Sequence, residues 1–350
     1  MHIHANFEGG NINVLRIEDD TIFLQNEIRD SKGDWFYWAF CVEGAQGKTL
    51  RFTFDKKWIG YYGAAVSHDR VNWHWSETAT DDCTFTYTFG QDEDKVYFAH
   101  DLVYTPTRLF GFFGEMHLTP KTLCFTKKGR PVPMLTLGAG SKRILITSRH
   151  HACESTGTYI MEGFIREFLA SPIDDVTLCA VPFVDCDGVY DGDQGKNRAP
   201  HDHNRDYTAS PIYNETKAIM ALADAIGGAR MVLDCHSPNH LGGRSDNIFI
   251  VRKCEQKLPE FEKFCAILKG KCNENTLVYK AENDMPPNTA WNLDSSPTCA
   301  GYFNQRPDCR LGFSLETTYF GKGENKVSAE KLISTGRALC TAVKEYLSML

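Results

Sequence analysis

Two patterns of hydrophobic and polar positions divide the chain. In the N-terminal part, apolar side chains alternate with polar ones at period two, most clearly along Thr49-Leu50-Arg51-Phe52-Thr53-Phe54 and Cys83-Thr84-Phe85-Thr86-Tyr87-Thr88-Phe89. Such alternation buries one face of a strand and leaves the other in water. Trp35-Phe36-Tyr37-Trp38-Ala39-Phe40 is a third strand-like run, and turn clusters such as Glu43-Gly44-Ala45-Gln46-Gly47 separate these segments. The pattern predicts a small antiparallel β-sandwich domain over residues 1–103.

Beyond Val103 the pattern changes to strands alternating with helices. Strands are expected at Arg143 to Thr147, Val176 to Val181, Met231 to Leu233 and Asn247 to Val251, with helices at Ser155 to Leu169 and Ile212 to Ile226. A last helix begins after Ser328 as N-cap and lines up Leu332, Leu339, Val343 and Tyr346 or Leu347 on one face. This order predicts an α/β domain over residues 104–350, a mixed sheet flanked by helices with its functional groups at the carboxyl ends of strands.

A chain of 350 residues has room for both domains. Its formal net charge of -7 argues against nucleic acid as a partner, because phosphate-backbone affinity needs clustered Lys and Arg. No stretch approaches the ~20 apolar residues of a membrane helix, and the first residues have no signal-like apolar run, so no membrane association and a soluble, cytoplasmic protein are expected. The thirteen cysteines are scattered singly without CxxC pairs. That spacing suits reduced thiols, although a bridge such as Cys83 to Cys124 stays open.

Four segments carry candidate chemistry. His151-Ala152-Cys153-Glu154 follows an expected strand and opens an expected helix, a half-site for a metal whose two side chains can converge on one ion. His150 competes with His151 for that role. Met231-Val232-Leu233-Asp234-Cys235-His236 ends a strand on a second histidine next to an acid, and two His plus one Glu with an open fourth position is a catalytic zinc arrangement. Taken alone, that segment favours a merely hydrogen-bonded histidine capping the strand. The polar loop Gly195 to Tyr207 contains Arg198, Asn204 and Arg205, suited to a planar carboxylate or to local Asp–Arg pairs. Glu316 lies inside the apolar run Gly312 to Tyr319, where a buried carboxylate needs a reason; general base is one, an outward-facing edge position another.

In this order, the segments resemble the zinc metallocarboxypeptidase family, and most closely its cytosolic carboxypeptidase branch. Ser148 to Ala170, Val181 to Tyr207, Leu233 to His236 and Ser314 to Thr317 carry the resemblance, and Trp35 to Phe40, Tyr61-Tyr62 and Asp92 to Ala99 resemble that branch's N-terminal β domain. The resemblance implies one zinc ion per chain held by His151, Glu154 and His236. It implies that Arg198 polarises the scissile carbonyl, that Asn204 and Arg205 take the substrate's terminal carboxylate, and that Glu316 acts as base and then acid. Tyr302 is the candidate for a tyrosine that contacts the scissile amide. The arginine with which the branch grips a glutamate side chain falls near Ala300 here, leaving Arg306 or Arg310 as substitutes.

The expected activity is hydrolysis of the C-terminal residue of a peptide or protein tail, an acidic or glutamate-linked residue included. The rivals are a zinc amidohydrolase of N-acyl amino acids and an inactive module that binds carboxylated tails. Oligomeric state is not readable from the sequence.

Overall fold

The computed structural model describes residues 1–349. The front of the chain forms two five-stranded sheets. One runs His2–His4, Ala39–Glu43, Lys95–Ala99, Ala65–Ser67, His74–Trp75, and the other Asn13–Glu18, Thr21–Gln25, Thr49–Phe54, Thr84–Thr88, Ala79–Asp81. All neighbours are antiparallel except Thr21–Gln25 beside Thr49–Phe54, which run parallel. The inward positions of the period-two runs, Phe52 and Phe85, meet Phe40 and Phe98 of the facing sheet to form a core of stacked and tilted rings.

Trp35 to Trp38 does not form a strand; pairing begins only at Ala39. The backbone of Tyr37 finds its partners elsewhere. Its N–H donates to the Gln194 side-chain oxygen at 2.9 Å, and its carbonyl accepts from Gln194 Nε2 at 2.8 Å. The aromatic run is therefore a seam between the two parts of the chain, with Phe36 packed on His240 and Tyr319.

The second part is built on a seven-stranded sheet. We label its strands β1 (Lys121–Phe125), β2 (Pro131–Leu137), β3 (Lys142–Ser148), β4 (Val176–Val181), β5 (Met231–His236), β6 (Phe249–Arg252) and β7 (Leu311–Glu316). Their order is β1-β2-β4-β3-β5-β7-β6, with β4, β3, β5 and β7 mutually parallel and the outer strands antiparallel. The parallel strands β4, β5 and β7 are buried along their whole length, which explains why they read as continuous apolar runs rather than alternating ones.

Helix Ser155–Ala170 packs against the C-terminal helix Ala329–Ser348, close enough that a Cβ on Gly163 would sit 2.0 Å from the Ile333 carbonyl oxygen. Ser328 caps the C-terminal helix by accepting from Lys331 N–H, and Leu332, Leu339, Val343, Tyr346 and Leu347 are its buried face. Among the described residues all thirteen cysteines are free thiols, and no helix is long and apolar enough to cross a membrane.

Candidate active site

β3, β5 and β7 end on the same edge of the sheet, and the site grows from those ends. After Ser148 the chain turns through Arg149, which takes a positive φ of 62°. Its buried guanidinium braces the turn, Nε donating to the Ala152 carbonyl at 2.7 Å and Nη1 to the Tyr104 carbonyl at 3.0 Å. That turn delivers His151 and then Glu154, the residue before helix Ser155–Ala170, whose side chain makes no capping bond. Glu154 Oε1 lies 2.9 Å from His151 Nδ1 and Oε2 lies 2.7 Å from His236 Nδ1. The three ligand atoms of His151, Glu154 and His236 fall within 4.8 Å of one another.

The outer ring nitrogens point to acids. His236 Nε2 is 2.7 Å from Asp234 Oδ2, and His151 Nε2 is 3.5 Å from Asp202 Oδ1. Carboxylates behind imidazoles fix ring orientation, so both Nδ1 atoms face inward. Two such nitrogens around one carboxylate form a donor set that fits zinc. His150 also lies near His236 and Asp234. Its Nδ1 is 2.7 Å from Asp234 Oδ1 and its Nε2 2.7 Å from the Tyr207 hydroxyl, so it buttresses Asp234 rather than facing the cavity.

Glu316 is the register partner of His236 across the parallel β5/β7 pair. It is buried, and its Oε2 has no hydrogen-bond partner among the described residues. Burial pushes its carboxyl up to about 7, with His236 and Lys196 pulling the other way and Glu154 adding to the rise. Burial also works to lower both histidines. For His236, Asp234 and Glu154 overcome it and hold the ring well above its ordinary value; for His151, Glu154 and Asp202 overcome it and raise the ring.

The loop from Asp193 to Arg205 closes one side. Arg198 does not reach toward Glu154. Its guanidinium lies 3.2 Å from Asp30, 2.8 Å from Asp185 and 3.1 Å from Asp193, three carboxylates that anchor it on the wall of the same cavity that His151, Glu154 and Glu316 line. Lys196 lines the cavity too, its Nζ 2.8 Å from Glu154 Oε1. Asn204 is buried, its Oδ1 accepting from Cys299 N–H at 2.9 Å and its Nδ2 3.0 Å from His236 Nε2. Arg205 is half-buried and donates to the Asn204 carbonyl; among the described residues it has no ion-pair partner.

A cavity of about 600 Å³ opens in front of these groups. His151, Glu154, His236 and Glu316 lie in its wall, Arg205 and the buried Lys253 line it too, and Trp35 and Trp291 are further lining residues. Burial, aided by Arg205, lowers Lys253 to about 8. No tyrosine lines the cavity among the described residues. Tyr302 packs on Tyr207 and Phe303, with its hydroxyl near Arg306, and contributes nothing to the wall. Arg306 pairs with Asp224 and Asp308, and Arg310 with Glu260, so neither serves the cavity.

Residues 3–100 match the family model for the cytosolic carboxypeptidase N-terminal domain. Human cytosolic carboxypeptidase 2 is 25% identical over 345 residues, covering 78% of this chain and 38% of its own length. The chain therefore spans well under half of that relative. An uncharacterized protein of Zymomonas mobilis is 26% identical over 313 residues, covering 82% of this chain and 81% of its own. The crystal structure of a metallo-carboxypeptidase from Burkholderia cenocepacia superimposes with a TM-score of 0.83 at 23% identity, covering 99% of both chains, and so shares the fold. The chain is similar in sequence to cytosolic carboxypeptidases and shares its fold with a metallo-carboxypeptidase.

Several groups of this carboxypeptidase-like site escape a reading of the sequence. Asp202 sits in the singled-out loop and is indistinguishable there from its acidic neighbours. Lys196 stands two positions before Arg198, and only the fold shows that it is Lys196 that pairs with Glu154 while both line the cavity. Asp30 and Lys253 carry no local signal, since both reach the site through contacts distant in sequence.

Proposed function

We propose that the chain is a metallocarboxypeptidase that releases the C-terminal amino acid of a peptide or protein tail, with His151, Glu154 and His236 holding one Zn²⁺. The observation that carries the reading is the unpartnered Glu316 oxygen beside this donor set, on the wall of a cavity that also contains an unpaired arginine. Zinc, when bound, supplies Lewis-acid activation of the substrate carbonyl and of water. Glu316 takes a proton from the attacking water and returns it to the leaving amine. A carboxyl raised by burial toward neutral pH suits both transfers.

Arg205, with the Asn204 amide as a second donor, captures the terminal carboxylate. A guanidinium fork matches that planar anion, and Arg205 has no acid of its own to displace. The residue's side chain enters the region of Lys253, Val251, Met285 and Ser314. Lys253 Nζ has a backbone carbonyl, that of Leu293, as its hydrogen-bond partner, so an acidic side chain gains an ion pair there. We place the enzyme in the cytoplasm, where thirteen unbridged thiols persist.

The test is amino-acid release from peptides that differ only in the C-terminal residue, with N-acyl amino acids alongside, using zinc-loaded wild type and Glu316→Gln. Release from the peptides by wild type alone, fastest for C-terminal Glu or Asp, is expected. Cleavage of the N-acyl amino acids but not the peptides turns the assignment to the amidohydrolase, and binding without cleavage to the inactive module.

A further inference from the structure

The seven-stranded sheet carries a second charged hollow at the end remote from His151, Glu154 and His236. β3 starts at Lys142 and β5 at Met231, and both run away from this end toward the candidate metal site. Here Arg230 N–H donates to the Arg143 carbonyl at 2.7 Å, and Arg310 N–H donates to the Arg230 carbonyl at 2.8 Å. Three arginines therefore stand abreast where β3, β5 and β7 begin. Like charges side by side on adjoining strands repel unless an anion balances them. Arg310 has one, the carboxylate of Glu260. Arg143 and Arg230 have none among the described residues, and neither does Lys142 beside them.

These three unpaired cations line one cavity of about 260 Å³, with Asp308 and the Gly227-Gly228 turn as further walls. The acids at hand are committed elsewhere. Asp308 Oδ2 accepts the Ala229 N–H at 3.0 Å, and its Oδ1 accepts from Arg306 Nε at 3.2 Å. Gly228, at φ 99°, packs so closely on Asp308 that a Cβ would lie 2.0 Å from the same Oδ2. Asp175 is taken by Ser141, whose N–H and hydroxyl donate to its two oxygens at 2.6 and 2.7 Å. Arg143 Nη1 is sealed from solvent and has no acceptor among the described residues. A guanidinium that is desolvated without being paired is costly, and an anion in the adjoining cavity offsets that cost.

We propose that this hollow binds the phosphate group of a small ligand, with Lys142, Arg143 and Arg230 as its counter-charges. Three cations around so small a space match a dianion with three terminal oxygens better than a carboxylate, which a single guanidinium fork satisfies. The net charge of -7 over the whole chain opposes nucleic acid as the source of the phosphate, because a long polyanion meets repulsion beyond the cluster. Free phosphate and a small phosphate ester share the recognising chemistry. The site stands apart from the peptidase reading: β3 and β5 hold it and the catalytic cavity at opposite ends, so a bound phosphate steadies the sheet without touching the reacting groups.

The experiment titrates zinc-loaded wild type, Arg143→Gln, Arg230→Gln and Arg205→Met with inorganic phosphate and with glycerol 3-phosphate by calorimetry, in chloride buffer of constant ionic strength. Saturable phosphate binding is expected in wild type and in Arg205→Met, and Arg143→Gln and Arg230→Gln should each weaken it about 10- to 100-fold, the equivalent of one charged hydrogen bond. Phosphate should raise the thermal midpoint of wild type but not of Arg230→Gln. In phosphate-free buffer Arg230→Gln should melt at or above wild type, since it relieves a repulsion. Tighter binding of glycerol 3-phosphate upholds the site and makes its ligand an ester; tighter binding of inorganic phosphate upholds it with the free ion. Binding that is lost in Arg205→Met and kept in Arg230→Gln belongs to the catalytic cavity and overturns the proposal. No saturable binding in wild type overturns it as well, and so does a phosphate-free Arg230→Gln markedly less stable than wild type, which makes the arginine row structural.

Discussion

Asp30, in the front part of the chain, accepts the backbone N–H of Gly195 at 2.8 Å, the residue before the buried Lys196. The same carboxylate pairs with Arg198 and receives Gln194 N–H. The loop between the front strands Thr21–Gln25 and Ala39–Glu43 therefore helps to shape the site. Removing one partner of a nearly buried, hydrogen-bonded charge costs about 3–5 kcal/mol. Asp30→Ala is expected to lower the unfolding free energy by a few kcal/mol and to reduce kcat/KM, both readable from denaturant titration and steady-state kinetics. An Asp30→Ala enzyme as stable and as active as wild type contradicts the organising role.

Glu316 is a buried carboxyl whose charged form the fold disfavours. Exchanging it for an amide of the same shape should cost turnover but not stability. Glu316→Gln is expected to lose about 10²- to 10⁴-fold in kcat while its thermal midpoint at pH 8 stays equal to or above that of wild type. A clear drop in midpoint with retained activity is the opposite pattern and argues for a structural carboxylate.

Arg205 gives the sharpest test of substrate polarity. If it holds the terminal carboxylate, wild type should not cleave a peptide whose C-terminus is amidated. Arg205→Met should raise KM for free-acid peptides about 10- to 100-fold, as expected for a charged hydrogen bond worth roughly 1.5–3 kcal/mol. Equal cleavage of acid and amide removes Arg205 from that role.

Asp101 is fully buried, and neither of its carboxylate oxygens has a hydrogen-bond partner among the described residues. Burial pushes its carboxyl up to about 7, with Arg149 pulling in the opposite direction. In the unfolded chain an Asp titrates near its ordinary value of 3.8, so between about pH 4 and 7 the folded protein binds the extra proton. Stability from this group is then greatest at the acid end of the window and declines as pH rises, by an amount on the order of 4 kcal/mol if nothing relaxes. Asp101→Asn should flatten the slope of unfolding free energy between pH 5 and pH 7 and be the more stable protein at pH 7. An unchanged slope assigns the pH dependence to other groups.

The strands and helices of the second part are written in the sequence because burial dictates their patterns. Val176 to Val181 reads as one apolar run because neighbours cover both of its faces, and Ser328 announces its helix by a cap that acts over three residues. The convergence of His151, Glu154 and His236 is legible for the same reason: each stands at or just beyond the end of such a strand. The outcome differs where a residue's partner is remote. Trp35 to Trp38 has a strand's composition, yet Tyr37 satisfies its backbone on Gln194, which no local pattern can show. Arg198 and Lys196 are equivalent in the sequence until Asp30 and Asp185 claim one of them. Tyr302 was expected at the amide on chain order alone, and the helix Cys299–Asn304 points it to Tyr207 and Arg306 instead.

The pairing of His236 with Glu316 sets a distance that no loop controls. Their separation is inherited from the spacing of neighbouring strands, about 4.8 Å, which every hydrogen bond along β5 and β7 helps to enforce. The rim around Trp291, Arg244 and Lys253 stands on other segments. Substitutions in that rim can therefore change which side chains the cavity accepts while the sheet keeps His236 and Glu316 at the same separation.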